Sequence, residues 1–357
     1  MNRSRPADDG WRESLAAYVR RLNRMESGEP QALSDLVEDA AFLDQCGAKC
    51  RRLFSGWPER ERPVRSETVC RPVWTIGRPG GPRVRIRLAR RFVYEDGRVE
   101  ERIEHETLDF AWRNGRWMIA RLVPDVPERR ESGGNRRTAA GMWPAGADPV
   151  PYINRDLLAV SAPASPGGPA VRTKSRAALP VPAHRRRGRA VRYDREAARA
   201  YADAWWNGAN PKYRRFAVDC TNYVSQCLFA GGLPMDYTGR RDSGWWYEGY
   251  AGGAERWSFS WAVSHSLCLY MSVQSRPPRG AKKTDPRELA VGDVIFYDWD
   301  GDGRWQHTAI VTGHDREGWP LVNAHTGDSR RRYWDYRDSY AWSERTRYTF
   351  LHVPDEL

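Results

Sequence analysis

The feature that most limits what this chain can fold into is a break in its middle. From about Pro124 to Arg192 the apolar periodicity that marks a packed core stops, and Pro/Ala/Gly tracts (PASPGGPAV, ALPVPAH) and a basic run (RRRGRAVR, 185–192) take over. Such composition buries little and is extended where Pro is dense. A chain of 357 residues is also too long for one ordinary core. The reading is therefore three parts: a folded domain over 1–125, a Pro/Arg-rich linker over 126–192, and a second folded domain over 193–357.

The flanking parts carry enough to fold. Hydrophobic residues make up 40% and there are 17 Trp, more than a disordered chain would hold. In the first part, Trp11 to Met25 and Leu33 to Phe54 have helical spacing. The period then drops to two, Val84, Ile86 and Leu88 alternating with arginines, and Glu95-Asp96-Gly97 and Asn114-Gly115 mark hairpins. Helices followed by an antiparallel meander predict an α+β domain. Its element order resembles the nuclear-transport-factor-like cone, with no catalytic constellation in it. Cys46, Cys50 and Cys70 lack a fourth ligand at zinc spacing, so they read as buried free thiols.

No run approaches the ~20 apolar residues of a membrane span. The N-terminus as written has no apolar signal core, so the expectation is a cytoplasmic protein, or one reaching the cell wall or spore by another route. The net charge of +12 suits an anionic partner such as a cell-wall polymer. The 185–192 run reads as a solvated linker segment rather than a nucleic-acid contact.

The chemistry is in the last part. Asp194 can cap a helix whose stripe is Ala197, Tyr201, Ala204 and Trp205. A second helix, CTNYVSQCLFAGG, starts at Cys220. A helix start favours negative charge and offers unpaired N–H groups to an oxyanion, which is what a cysteine nucleophile needs. Cys227, two turns on, has neither advantage. Among the later histidines, His307 opens the strand HTAIV beyond a polar loop and is the preferred base. Asn323, a polar residue in the apolar strand LVNAHT, would face it across a hairpin and orient the ring, with His325 in reserve.

Residues 193–353 resemble the family called "putative amidase domain", which groups with papain-like, NlpC- and CHAP-type cell-wall hydrolases. The stretches that carry the likeness are YADAWWNGANPKYRRF, DCTNYVSQCLFAGGLPM, VGDVIFYDWDGDGRWQHTAIVTG and WPLVNAHTGDSRRRYW. The resemblance implies a papain-like α+β fold with Cys220 as nucleophile, His307 as base and Asn323 as the third polar residue. It also implies that Asn210 lies beside the nucleophile, as a second oxyanion donor or a structural turn. Trp245, Trp246, Trp257 and Trp261 would wall the cleft, or else be core. The implied reaction is amide hydrolysis through a thioester, with peptidoglycan-type peptide or muropeptide amides as substrates. The rival is a non-catalytic module that binds cell-wall or other anionic polymer on a hydrolase fold.

The reaction needs no cofactor. Asp298-x-Asp300-x-Asp302-Gly303 copies the first half of a calcium loop, but Ala309 stands where its closing Glu belongs. An acidic turn is expected there, with a weak calcium site as the alternative.

Overall fold

The computed structural model describes residues 9–29, 31–54, 61–126, 192–273 and 277–356; nearly all of the predicted linker lies outside them. Helix α1 spans Trp11–Glu26 and buries Trp11, Leu15, Tyr18, Val19 and Leu22, the stripe its spacing predicts. Helix α2 spans Ala40–Phe54. The predicted helix from Leu33 is shorter at its start because Asp39 begins it instead, accepting from Phe42 N–H at 3.1 Å. Val37, just before, forms a bridge to Ile119.

Four strands follow: β1 Arg65–Ile76, β2 Arg83–Val93, β3 Val99–Arg113 and β4 Arg116–Pro124. The β3–β4 hairpin turns at Asn114 and Gly115, both at positive φ (48° and 82°), the conformation that an Asn-Gly pair favours. Their inner faces close a core with α1 and α2 around Val84, Ile86, Leu88, Leu108 and Phe110. The sequence gives no sign of β1, whose residues are largely exposed and interrupted by Pro72.

In the last part, α3 (Arg195–Trp205) is capped by Asp194, which accepts from Ala197 N–H at 2.9 Å. Its buried stripe is Ala198, Tyr201 and Ala202, rotated from the predicted one, with Tyr201 shared. Helix α4 spans Cys220–Ala230 and is buried almost all round. Two short strands, β5 (Tyr247–Glu248) and β6 (Arg256–Trp257), precede α5 (Phe259–Ala262) and α6 (Ser264–Val273). Six further strands complete the described fold: β7 Ala281–Lys283, β8 Val294–Asp298, β9 His307–His314, β10 Pro320–Ala324, β11 Ser329–Tyr333 and β12 Arg347–His352.

The α+β expectation is met by helices around one large antiparallel sheet. What the sequence does not announce is that this sheet runs through both halves. Its order is β1-β2-β3-β11-β10-β9-β8-β12-β7, with β4 also on β3. The join is β3 to β11, Ser329 opposite Arg102 and Arg330 opposite Glu101. Arg102, 4% exposed, bonds Asp338 from the far half and Glu100 from its own. Arg332 also holds Asp338, at 3.0 Å. Beside it the segment after Asp335 docks into the first half: Arg52 donates to the carbonyls of Arg337 and Ser339, and Lys49 lies 5.0 Å from the centre of the Tyr340 ring.

The sheet's two faces divide the later half into two cores. Val294, Phe296 and Ile310 pack under α3, α4 and α6. Ile295, Tyr297, Ala309 and Val311 pack on the opposite side with Trp299, Trp334 and Tyr336, as alternation along a strand requires. This division decides where the candidate residues point.

Candidate functional site around Cys220

Cys220 opens α4 and is 2% exposed. Asp219 occupies the cap position, yet its side chain makes no capping bond. One carboxylate oxygen accepts instead from Phe216 N–H (2.9 Å) and Asn222 Nδ2 (2.9 Å). The other meets His325 Nδ1 at 2.7 Å. The positive end of the helix is thereby not neutralised by a side-chain cap, and it lies beside the thiol. Asp219 N–H donates to Thr326 Oγ1 at 2.8 Å, so the loop after β10 grips the start of the helix twice.

His325 is buried, 3% exposed, with both ring nitrogens facing acceptors: the Asp219 carboxylate, and the Trp205 carbonyl at 2.8 Å from Nε2. Two acceptors are best met by two N–H donors, so this setting favours the protonated ring. Burial by itself would lower its pKa, but hydrogen bonding to Asp219 and the charge of that carboxylate outweigh burial and raise it above its ordinary value. The ring stacks on Tyr223, centroids 4.1 Å apart. Tyr223 lies one turn along α4 from Cys220, so His325 packs against the first turns of the helix that Cys220 opens.

His307 lies elsewhere. It pairs with Tyr297 across β8 and β9, which sends its ring to the face away from α4. Tyr297, Trp299 and Tyr336 surround it at centroid distances of 5.3, 5.8 and 5.2 Å. It is completely buried, and neither ring nitrogen has a hydrogen-bond partner. Burial and, second, the nearby Arg332 guanidinium push its pKa down to about 3, so it is neutral. Its neighbour Thr308 takes the other face: Thr308 Oγ1 lies 3.1 Å from Thr221 Oγ1 on α4 and donates to Ser264 Oγ at 2.7 Å.

Asn323 does not meet His307. The hairpin register sets Asn323 opposite Ile310, three residues and roughly 10 Å along the strand from His307. Its side chain points to the helical face, accepting from Thr312 Oγ1 and Arg331 N–H (both 2.8 Å) and donating to Asp203 of α3 at 3.1 Å. His325, two residues on, shares that face as the sequence predicts. The structure thus brings His325 and Asp219 to the helix of Cys220, while His307 and Asn323 stay apart from each other.

The remaining candidates are structural in this geometry. Asn210 donates to Tyr201 Oη at 2.8 Å and accepts from Lys212 N–H at 3.0 Å, an Asx turn. Trp245, Trp246 and Trp261 are fully buried and Trp257 nearly so. Trp245 and Trp261 donate to Ser225 and Asn222 of α4, packing behind the helix rather than walling a cleft. Asp298 gives its oxygens to the N–H groups of Gly301, Asp302 and Gly303, as an acidic turn does. Among the described residues no three His, Cys, Asp or Glu side chains are disposed to hold a metal. All six cysteines are free thiols, and no described helix is long and apolar enough to cross a membrane.

Sequence reasoning missed the Asp219–His325 pair as the central contact. The available signal was the Asp directly before the cysteine, an anionic residue where the helix start needs one held in place.

Residues 192–351 match the model of the family described as "putative amidase domain", which suggests a hydrolase acting on amides. The chain is also 47% identical over 169 residues to "Uncharacterized protein YhbB" of Bacillus subtilis (strain 168); the match covers 47% of this chain and 53% of that protein. The chain thus spans about half the length of that relative. No solved structure matches.

Proposed function

We propose that the part of the chain similar to the "putative amidase domain" family is a cysteine-dependent amide hydrolase with Cys220 as nucleophile and His325 as its proton carrier. The observation that carries this reading is the helix start where Cys220 stands, with Asp219 turned from capping to hold the His325 ring. The Cys220 thiolate attacks an amide carbonyl, and N–H groups of the first turn of α4 stabilise the oxyanion. His325 releases the Trp205 carbonyl and gives its Nε2 proton to the departing amine. Water then attacks the thioester, its proton passes to His325, and the thiolate and the acid are released. Asp219 orients the ring throughout, as the third member of such sets does. On this reading the fold is papain-like and the substrates are amides of peptidoglycan-type peptides, which suits a protein of net charge +12 facing an anionic wall.

A second reading keeps His307 as the base. Its favouring observation is a neutral ring with both nitrogens unpartnered, the state a base requires.

Hydrolysis of muropeptides and simple peptide amides by wild type, Cys220→Ala, His325→Gln and His307→Phe separates these. Cys220→Ala is expected to abolish turnover. His325→Gln should lower kcat by about 10²-fold or more, while His307→Phe stays within a few-fold. The reverse order of the two histidine variants selects the second reading, and turnover that survives Cys220→Ala overturns both.

A further inference from the structure

Ten large apolar side chains are exposed among the described residues, and five of them belong to one strand and the residue before it. They are Val64 (62%), Val69 (57%), Val73 (52%), Trp74 (37%) and Ile76 (50%). Scattered exposure needs no explanation, but concentration does. That strand, β1, is an edge of the ten-stranded sheet, and no described strand lies beyond it. It is twelve residues long, whereas exposed edges are ordinarily kept short; its guards are Pro72 with the bulge beside it and the charges of Arg65, Glu67 and Arg71. Its one irregularity falls between Pro72 and Trp74, leaving Arg65–Arg71 in regular register with β2.

The charges on that regular stretch have a symmetry. Glu67 and Arg71 stand two residues either side of Val69. An antiparallel copy of β1 centred on Val69 therefore sets Glu67 opposite Arg71 twice and Val69 opposite itself. Centring on Arg71 or Glu67 opposes like charges, and centring on Thr68 opposes Arg65 to Arg71. Arg71 has no ion pair of its own among the described residues, while Glu67 shares exposed contacts with Arg65 (2.9 Å) and Arg91 (3.4 Å) that cost little to rearrange.

We infer that two copies of this chain pair edge to edge through β1, antiparallel about Val69, into a two-fold symmetric dimer with one continuous sheet. The interface is isologous, each Glu67 meeting the other copy's Arg71, and the apolar residues around Val69 supply the buried area.

The test is sedimentation velocity on the full chain at micromolar concentration, with circular dichroism as a check that each variant is folded. Wild type should be dimeric. Val69→Lys, at a position too exposed to matter to the fold, should be monomeric, and Glu67→Arg should raise the dimer Kd about tenfold or more. Adding Arg71→Glu to Glu67→Arg recreates both pairs with reversed sign and should restore the dimer. A monomeric wild type overturns the inference. So does a dimer that ignores Val69→Lys, or a double variant no tighter than Glu67→Arg alone.

Discussion

Two histidines of the later half have opposite surroundings, and pH should reveal each. His325 has a folded pKa above its unfolded value near 6.5. Its contribution to stability is complete below that value and is lost as pH rises through the raised one. His307 has a folded value of about 3, so the unfolded chain takes up a proton that the folded chain refuses. That penalty grows as pH falls below 6.5, with a ceiling on the order of 5 kcal/mol set by the size of the shift. Thermal unfolding followed from pH 4.5 to 8.5 should show His307→Phe flattening the acid limb and His325→Gln flattening the alkaline limb. Parallel curves for wild type and both variants would contradict the two environments described.

At the scale of elements, the question is what fixes α4 over the sheet. Thr308 joins β9 to Thr221 of α4 and Ser264 of α6 through buried hydroxyls. Thr308→Val keeps the shape and removes the link, leaving Thr221 Oγ1 short of its partner inside the core. It should cost about 1–3 kcal/mol in urea unfolding, and Thr308→Ser should recover most of it. The elements themselves were largely readable: α1 from its spacing, β2 from its alternation, the β3–β4 turn from Asn-Gly, and α4 from the apolar run after Cys220. The helix start carrying Cys220 was readable from the apolar run that follows it. Which histidine meets it was not. His307 opens β9 and His325 directly follows β10, and only the β9–β10 register and the side of the sheet each faces tell them apart. Those are properties of pairing between distant residues, which no local pattern encodes. Strand β1 escaped notice because its exposed residues and Pro72 give no alternation to read.

At the scale of the molecule, the β3–β11 join gives the two halves a common sheet, and Arg102 with Asp338 gives them a common buried charge pair. The loop that holds Asp219 through Thr326 ends at Asp328, whose carbonyl accepts from Ile103 N–H at 2.8 Å. The start of α4 is therefore two steps of hydrogen bonding from the first half of the chain.

It follows that the particle should survive a cut in the peptide between Val126 and Arg192. A protease nick placed there would give two bands on a denaturing gel from one peak in native size exclusion, because the fragments remain laced together along β3. Introducing Arg102→Leu into the nicked protein removes the cross-half pair with Asp338 and leaves buried Glu100 without its guanidinium, a defect of about 3–5 kcal/mol, and should let the two pieces elute separately. Fragments that part without that substitution would mean the lacing is weaker than the backbone it spares.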